Sequence, residues 1–227
     1  MFTERNTIEN FVIKQLTGTD LSKQAENIVS EPQAVYHTKA ARWQYIPANQ
    51  LPRKTSDVLI EKILAEKLCE LNPAIAEQPD RADEIIHKLR GIILTVKTQG
   101  LVRANELFTE WLLGDKTMPY GKNNRHVPIR LIDFETISNN SFVITNQFTL
   151  KNGVEKIPDI VMFVNGIPII VGELKTPVRP AISWLDGATD IHDDYENTIP
   201  ALFVPNLFSF ATEGKKFRYG SVRMPLE

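Results

Sequence analysis

The stretch PDIVMFVNGIPIIVGELKTP, residues 158–177, constrains this chain more than any other. Two apolar runs rich in β-branched residues flank Asn165-Gly166, the dipeptide favoured in tight hairpin turns. Runs this apolar belong in a core as paired strands. Yet the open end of the hairpin carries Asp159 on one strand and Glu173 and Lys175 on the other.

Register decides whether those charges meet. Strand side chains alternate faces, so Glu173 and Lys175, two apart, share one. A two-residue turn on Asn165-Gly166 pairs position 164 with 167 and 159 with 172, which puts Asp159 and Glu173 on opposite faces. A three-residue loop over Asn165, Gly166 and Ile167 pairs 164 with 168 and 159 with 173. The two carboxylates then lie about 5.5 Å apart at Cβ. Pro168, lacking an N–H, must sit where no ladder bond is donated. The expectation is therefore a three-residue loop or an equivalent bulge.

Two carboxylates on one face form a hard oxygen site suited to Mg²⁺, which keeps several waters and accepts phosphate oxygens. A lysine beside them supplies a point charge that orients a water or offsets charge developing on phosphorus. The set suits metal-assisted phosphodiester hydrolysis. The competing reading is that charged residues end these strands only to meet solvent.

The rest of the chain sets the frame. Its 227 residues, 42% hydrophobic and 24% charged, suit a globular domain with a substantial core. A formal net charge of −2 gives no bulk electrostatic reason for a nucleic-acid partner. The single cysteine, Cys69, excludes an intramolecular disulfide and reads as a core thiol, consistent with a cytoplasmic location. No apolar run reaches the roughly 18 to 20 residues of a membrane span.

Residues 8–16 have helical apolar spacing, and 18–54, broken by Gly18, Pro32, Pro47 and Pro52, read as an irregular excursion. The segment 56–73 predicts a helix with Ser56 as N-cap, an apolar stripe at 60, 63, 64, 68 and 71, and Asn72-Pro73 as its stop. Helices follow over 80–98 and 101–113, then a polar loop over 115–127. IRLIDF, SFVITNQFTL, DIVMFV, IPIIVGEL and ALFVPNLFSF read as strands, with a helix over 181–197. The organisation is one domain over 1–227: an N-terminal helix and excursion (1–55), a helical part (56–114) and a sheet carrying the hairpin (128–223). That order predicts an α/β (α+β) fold with a mostly antiparallel sheet.

PD-x(13)-ELK has the form of the PD-(D/E)xK nuclease motif. With it, the ordered blocks LCELNP, LVRANELFTEWLLG, VPIRLIDFE, NNSFVITNQFTL, PDIVMFVNGIPIIVGELKTP and IPALFVPNLFSFATEGKKFRYGSV resemble the N-terminal nuclease region of type I restriction enzyme R subunits. The resemblance covers residues 56–223 and extends more weakly to IENFVIKQL. It implies a restriction-endonuclease-like core and a Mg²⁺-dependent DNA endonuclease. Asp159 and Glu173 would be the metal ligands, and Lys175 the catalytic lysine. Related nucleases add an acidic residue from the first helix; Glu9 matches, against its reading as a solvated helix residue.

One departure stands out. The family carries a Gln four residues before a Tyr in the helix after the motif. Here Tyr195 is kept, but the position upstream is Ile191. His192 nearby reads as an ordinary helix histidine. The family's ATP-driven motor has no counterpart here: the Gly-Lys pairs at 121–122 and 214–215 are followed by Asn and Lys, not Ser or Thr. The resemblance thus implies an N-terminal fragment, with ATP serving only the motor, and with DNA and the modification and specificity subunits as partners. Lys215, Lys216, Arg218 and Arg223 form a basic cluster that suits a solvated face, an interdomain contact or DNA phosphate. Two rivals stay open: a nuclease of another restriction or repair system, and a non-catalytic assembly module on the same fold.

Overall fold

The computed structural model describes residues 8–21, 43–176 and 182–226. The expected excursion is thus seen only in part, since 22–42 lie outside the described residues. Numbering the elements used below, the first helix α1 is Asn10–Thr17 and the first strand β1 is Gln44–Tyr45. Three helices follow: α2 (Glu61–Leu71), α3 (Asp80–Leu94) and α4 (Leu101–Leu112). Then come β2 (Phe142–Asn146), β3 (Ile160–Val164) and β4 (Ile167–Leu174). Helix α5 (Trp184–Thr189), strand β5 (Phe208–Thr212) and strand β6 (Phe217–Gly220) complete the set.

The six strands form one mixed sheet in sequential order β1 to β6. β1–β2 and β4–β5 are parallel; the other neighbours are antiparallel. β3 and β4 are buried along their whole length. Such strands need cover on both faces, which explains why their sequences do not alternate. This is the α+β, restriction-endonuclease-like architecture expected of the sequence.

Helix α2 begins at Glu61, not beside Ser56, and carries no side-chain cap. Ser56 donates instead to the Asp57 carboxylate at 2.9 Å. The helix start is fixed from outside, where the Ile60 N–H donates to the Gly166 carbonyl at 2.8 Å. The stop at Asn72-Pro73 stands: Pro73 opens a separate turn, Pro73–Ala76. The expected 80–98 helix divides into α3 and a short turn, Val96–Gln99.

IRLIDF forms no strand. Its apolar residues Ile129, Leu131 and Ile132 are buried, but side-chain amides take the backbone groups a neighbouring strand would have used. Asn72 bonds both N–H and C=O of Arg130, Asn165 donates to the Leu131 carbonyl, and Asn140 bonds both backbone groups of Asp133. ALFVPNLFSF is likewise divided. Pro200–Phe203 is a 3₁₀ turn, and the strand starts only at Phe208. The Asn105 amide holds the carbonyls of Phe203, Val204 and Asn206, at the end of that turn and just beyond it.

Candidate active site

The central hairpin closes on a two-residue turn and not on the three-residue loop. Val164 pairs with Ile167, and Asn165 and Gly166 take φ of 52° and 80°, the left-handed pair of a type I′ turn. The extra residue lies farther in. Phe163 pairs with Pro168 but Met162 with Ile170, so Ile169 is a bulge. Ile160 therefore pairs with Gly172, and in that register the next positions outward are Asp159 and Glu173, with the Asp159 carboxylate reaching the Leu174 N–H. The bulge that served as the alternative to a longer loop restores the register. Pro168 sits outside the hydrogen-bonded Val164–Ile167 pair, where its missing N–H costs β3 nothing.

Asp159 lies at the bend that enters β3. Its Oδ2 accepts the Leu174 N–H at 2.8 Å, and its Oδ1 accepts from Gln147 Nε2 at 3.2 Å. Glu173 is 5% exposed. Its Oε1 accepts from Lys175 Nζ at 3.0 Å, while Oε2 is buried without a hydrogen-bond partner among the described residues. Lys175 Nζ also reaches Asp190 Oδ2 at 2.5 Å. Burial and then the charge of Asp159 push the Glu173 carboxyl up to about 8, against the pull of Lys175. Burial alone would lower the Lys175 ammonium, but hydrogen bonds and charge from Asp190 and Glu173 hold it above its ordinary value. Tyr195 stays a phenol well above its usual range, because of burial and the nearby carboxylates of Glu173, Asp159 and Asp190.

Glu9 does not read as a solvated residue: it is 1% exposed. From the start of α1 its carboxylate accepts from Asn146 Nδ2 at 2.9 Å and Gln147 Nε2 at 3.0 Å. Gln147 thus joins Glu9 to Asp159 through one amide nitrogen, and it does so from a left-handed backbone, φ 52°. A glutamine in that region marks local strain held by its surroundings. The structure brings together all five residues singled out above: Glu9, Asp159, Glu173, Lys175 and Tyr195. Sequence reasoning missed Gln147 and Asp190. The only sequence signal for Gln147 is the polar Asn146-Gln147 pair that breaks the apolar run after β2.

Gln147→Leu should destabilise the chain by about 2 kcal/mol, since it leaves the buried Glu9 carboxylate one donor short. Urea denaturation at pH 7 measures this. A loss under about 0.5 kcal/mol would mean that Glu9 is satisfied without Gln147.

The other candidates lie elsewhere. His192 Nδ1 sits 2.6 Å from Asp193 Oδ1. Arg223 pairs with the buried Glu196, 3.4 Å away, and the Arg218 guanidinium lies over the Trp184 ring. Two cations of the basic cluster are thus engaged within the fold.

The donor set suits a small hard cation. Asp159 and Glu173 offer carboxylate oxygens, one of them buried and unsatisfied, and Glu173 holds its proton unusually strongly next to Asp159. No group of three or more His, Cys, Asp or Glu is placed to hold a metal among the described residues. Asp159 and Glu173 would supply two carboxylate ligands, and Mg²⁺ is commonly held by one or two carboxylates with water and phosphate oxygens completing its shell.

A mixed sheet whose central hairpin opens on opposed Asp and Glu with a following Lys defines a restriction-endonuclease-like domain. Over residues 1–227 the sequence matches the family described as Type I restriction enzyme R protein N terminus, and the chain belongs to it. It is 32% identical over 193 residues, 79% of its length, to the type I restriction enzyme HindI endonuclease subunit of Haemophilus influenzae. It is 24% identical over 225 residues, 90% of its length, to a Methanocaldococcus jannaschii protein provisionally named as the type I restriction enzyme MjaIXP endonuclease subunit. The matched part makes up 18% and 20% of those two relatives. Among the described residues no helix is long and apolar enough to cross a membrane.

Proposed function

We propose that this domain hydrolyses DNA phosphodiester bonds with Mg²⁺, as the nuclease part of a type I restriction R subunit. The observation that carries the proposal is the Ile169 bulge, which sets Asp159 opposite Glu173 with Lys175 Nζ 3.0 Å from the latter. Membership of the R-subunit family supports the same reading. Asp159 and Glu173 would hold Mg²⁺; bound there, the ion would acidify a water and offset negative charge on the phosphate.

The chain's own residues then have distinct tasks. The Leu174 N–H and the Gln147 amide fix Asp159 in one rotamer. Lys175, a cation at any working pH, holds Glu173 Oε1 and presents its remaining N–H toward the attacking water or a phosphate oxygen. Tyr195 remains protonated, so its hydroxyl can donate toward Glu173 or toward a bound phosphate oxygen. Glu9 holds the Gln147 amide in place against Asp159. The DNA, the modification and specificity subunits, and an ATP-driven motor in the remainder of the subunit are the partners this role requires.

The test is Lys175→Ala in the R subunit assembled with its partner subunits and Mg²⁺. A positioned group of this kind contributes about 100-fold or more, so cleavage of plasmid DNA should fall by at least that factor. Cleavage at the unaltered rate would overturn the reading, and would favour an assembly module on a nuclease fold.

A further inference from the structure

The helix after the hairpin is not a regular α-helix. Trp184–Thr189 is α-helical, but Asp190–Tyr195 is a π-turn. In a π-turn the backbone hydrogen bond runs from i+5 back to i, one residue farther than in an α-helix, so the turn accommodates an extra residue. Position 191, four before Tyr195, is thereby rotated into the core, where Ile191 is 4% exposed. Asp190, five before Tyr195, faces the hairpin, where its carboxylate accepts from Lys175 Nζ. A π-turn costs hydrogen-bond geometry and persists where the surroundings hold it, often at functional sites.

Several contacts hold this one. Ser183 and Asp186 close a capping box at the start of α5. At Gly187 the helix lies against the sheet, at a distance where an added Cβ would make van der Waals contact with Ala211 Cβ and Glu173 Cγ, both at 3.4 Å. One turn beyond Asp190, the Asp194 carboxylate bonds Lys156 Nζ at 2.6 Å, on the segment leading into Asp159. The π-turn is thus tied to the strands on both sides of the site.

We propose that Asp190 is the positioning residue for Lys175, and that the π-turn exists in this chain to place it there. This rests on the nuclease reading above. The geometry is direct. Lys175 Nζ lies 2.5 Å from Asp190 Oδ2 and 3.0 Å from Glu173 Oε1. An ammonium has three N–H donors; two anchors from different elements fix the direction of the third. Glu173 alone is a poor anchor for that purpose, because a cation at the site competes for the same carboxylate. Asp190 comes from the helix and not from the hairpin, with its side chain 46% exposed, and keeps its hold when Glu173 turns to a metal. A carboxylate is suited to this where a neutral amide is not: the charge-assisted bond is about twice as strong. The departure at Ile191 is then no loss of function. A carboxylate one residue earlier, carried into place by the wider turn, does the positioning.

The experiment is a double-mutant cycle on DNA cleavage by the assembled complex, with Mg²⁺ midpoints and DNA KM measured alongside. Asp190→Asn should lower the cleavage rate constant about 10- to 100-fold, the cost of a misplaced catalytic group. Its Mg²⁺ midpoint and KM should stay within about twofold, because neither metal nor DNA depends on Asp190. Asp190→Glu, which keeps the charge, should recover part of the rate. In a Lys175→Ala background, Asp190→Asn should cost nothing further, since the two act as one unit. Thermal melting checks that each variant folds; the half-exposed site tolerates both.

A full rate in Asp190→Asn, or an equal loss with and without Lys175, overturns the proposal while leaving the nuclease reading intact. A tenfold rise in the Mg²⁺ midpoint also overturns it, making Asp190 a metal ligand instead. If Lys175→Ala itself cleaves normally, the nuclease reading fails first.

Discussion

Glu173→Gln should act in opposite directions on stability and on cleavage. Cleavage by the assembled complex should fall about 1000-fold or more, because the most buried oxygen donor of the pair becomes a neutral amide. The chain itself, stripped of divalent cations, should become more stable at alkaline pH. The sign follows from the direction of the shift. Burial and the charge of Asp159 raise the folded-state Glu173 carboxyl from 4.5 to about 8. Between those values the folded chain keeps a proton that the unfolded chain has released, so wild-type stability declines as pH rises through that window. Below about pH 4 the effect vanishes, and above about pH 9 the full penalty is present. The glutamine has no such penalty and still accepts from Lys175. At pH 9 with EDTA we expect it to gain about 2 kcal/mol over wild type, part of the ~5 kcal/mol that the whole shift would represent. Melting at pH 5, 7 and 9 is the measurement, and Mg²⁺ should raise the wild-type midpoint at pH 9 but not that of the variant. Parallel wild-type and Glu173→Gln profiles would mean that the two carboxylates do not share an electrostatic site.

The two carboxylates and the lysine were legible in the sequence because strand periodicity is strict: only an odd residue in the hairpin puts Asp159 across from Glu173. Where that residue sits was not legible. A loop and a bulge give the same register at the open end, and the choice is made at the closed end by groups distant in sequence. The fully buried Asn165 donates to Leu131 and Asn140 and accepts from the Ser141 N–H, while Ile60 of the turn into α2 bonds Gly166. Those contacts demand the tight turn, so the extra residue moves to Ile169. The same amide contacts explain why IRLIDF, strand-like by composition, is not one. Asp190 was hidden for a different reason. The sequence of a helix over 181–197 carries no mark of the extra residue that the π-turn Asp190–Tyr195 accommodates, so nothing in it sets Asp190 toward Lys175. Gln147 was hidden because its role depends on Glu9, 138 residues earlier.

Gly166→Ala should be among the most destabilising substitutions in the molecule, at about 3 kcal/mol. Two effects add. Gly166 has φ of 80°, where an L-residue with a Cβ costs roughly 1 kcal/mol. The added Cβ would also stand 2.5 Å from the Ile60 carbonyl oxygen and 3.0 Å from the Leu64 N–H nitrogen. Both are backbone atoms at the start of α2, so no side-chain rotation relieves the overlap; either the turn or the helix must move. Movement of the turn breaks the Ile60 to Gly166 hydrogen bond and loosens the closed end that confines the bulge to Ile169. Gly153 provides the comparison. It has a similar φ of 83° in the turn between Leu150–Asn152 and Val154–Lys156, yet an added Cβ there meets nothing within 4 Å. Gly153→Ala should therefore cost only about 1 kcal/mol, the backbone part alone. The difference between the two in urea denaturation measures the packing of the hairpin tip against α2. Equal costs would show that α2 does not hold the turn, and that the register of Asp159 and Glu173 is set within the hairpin itself.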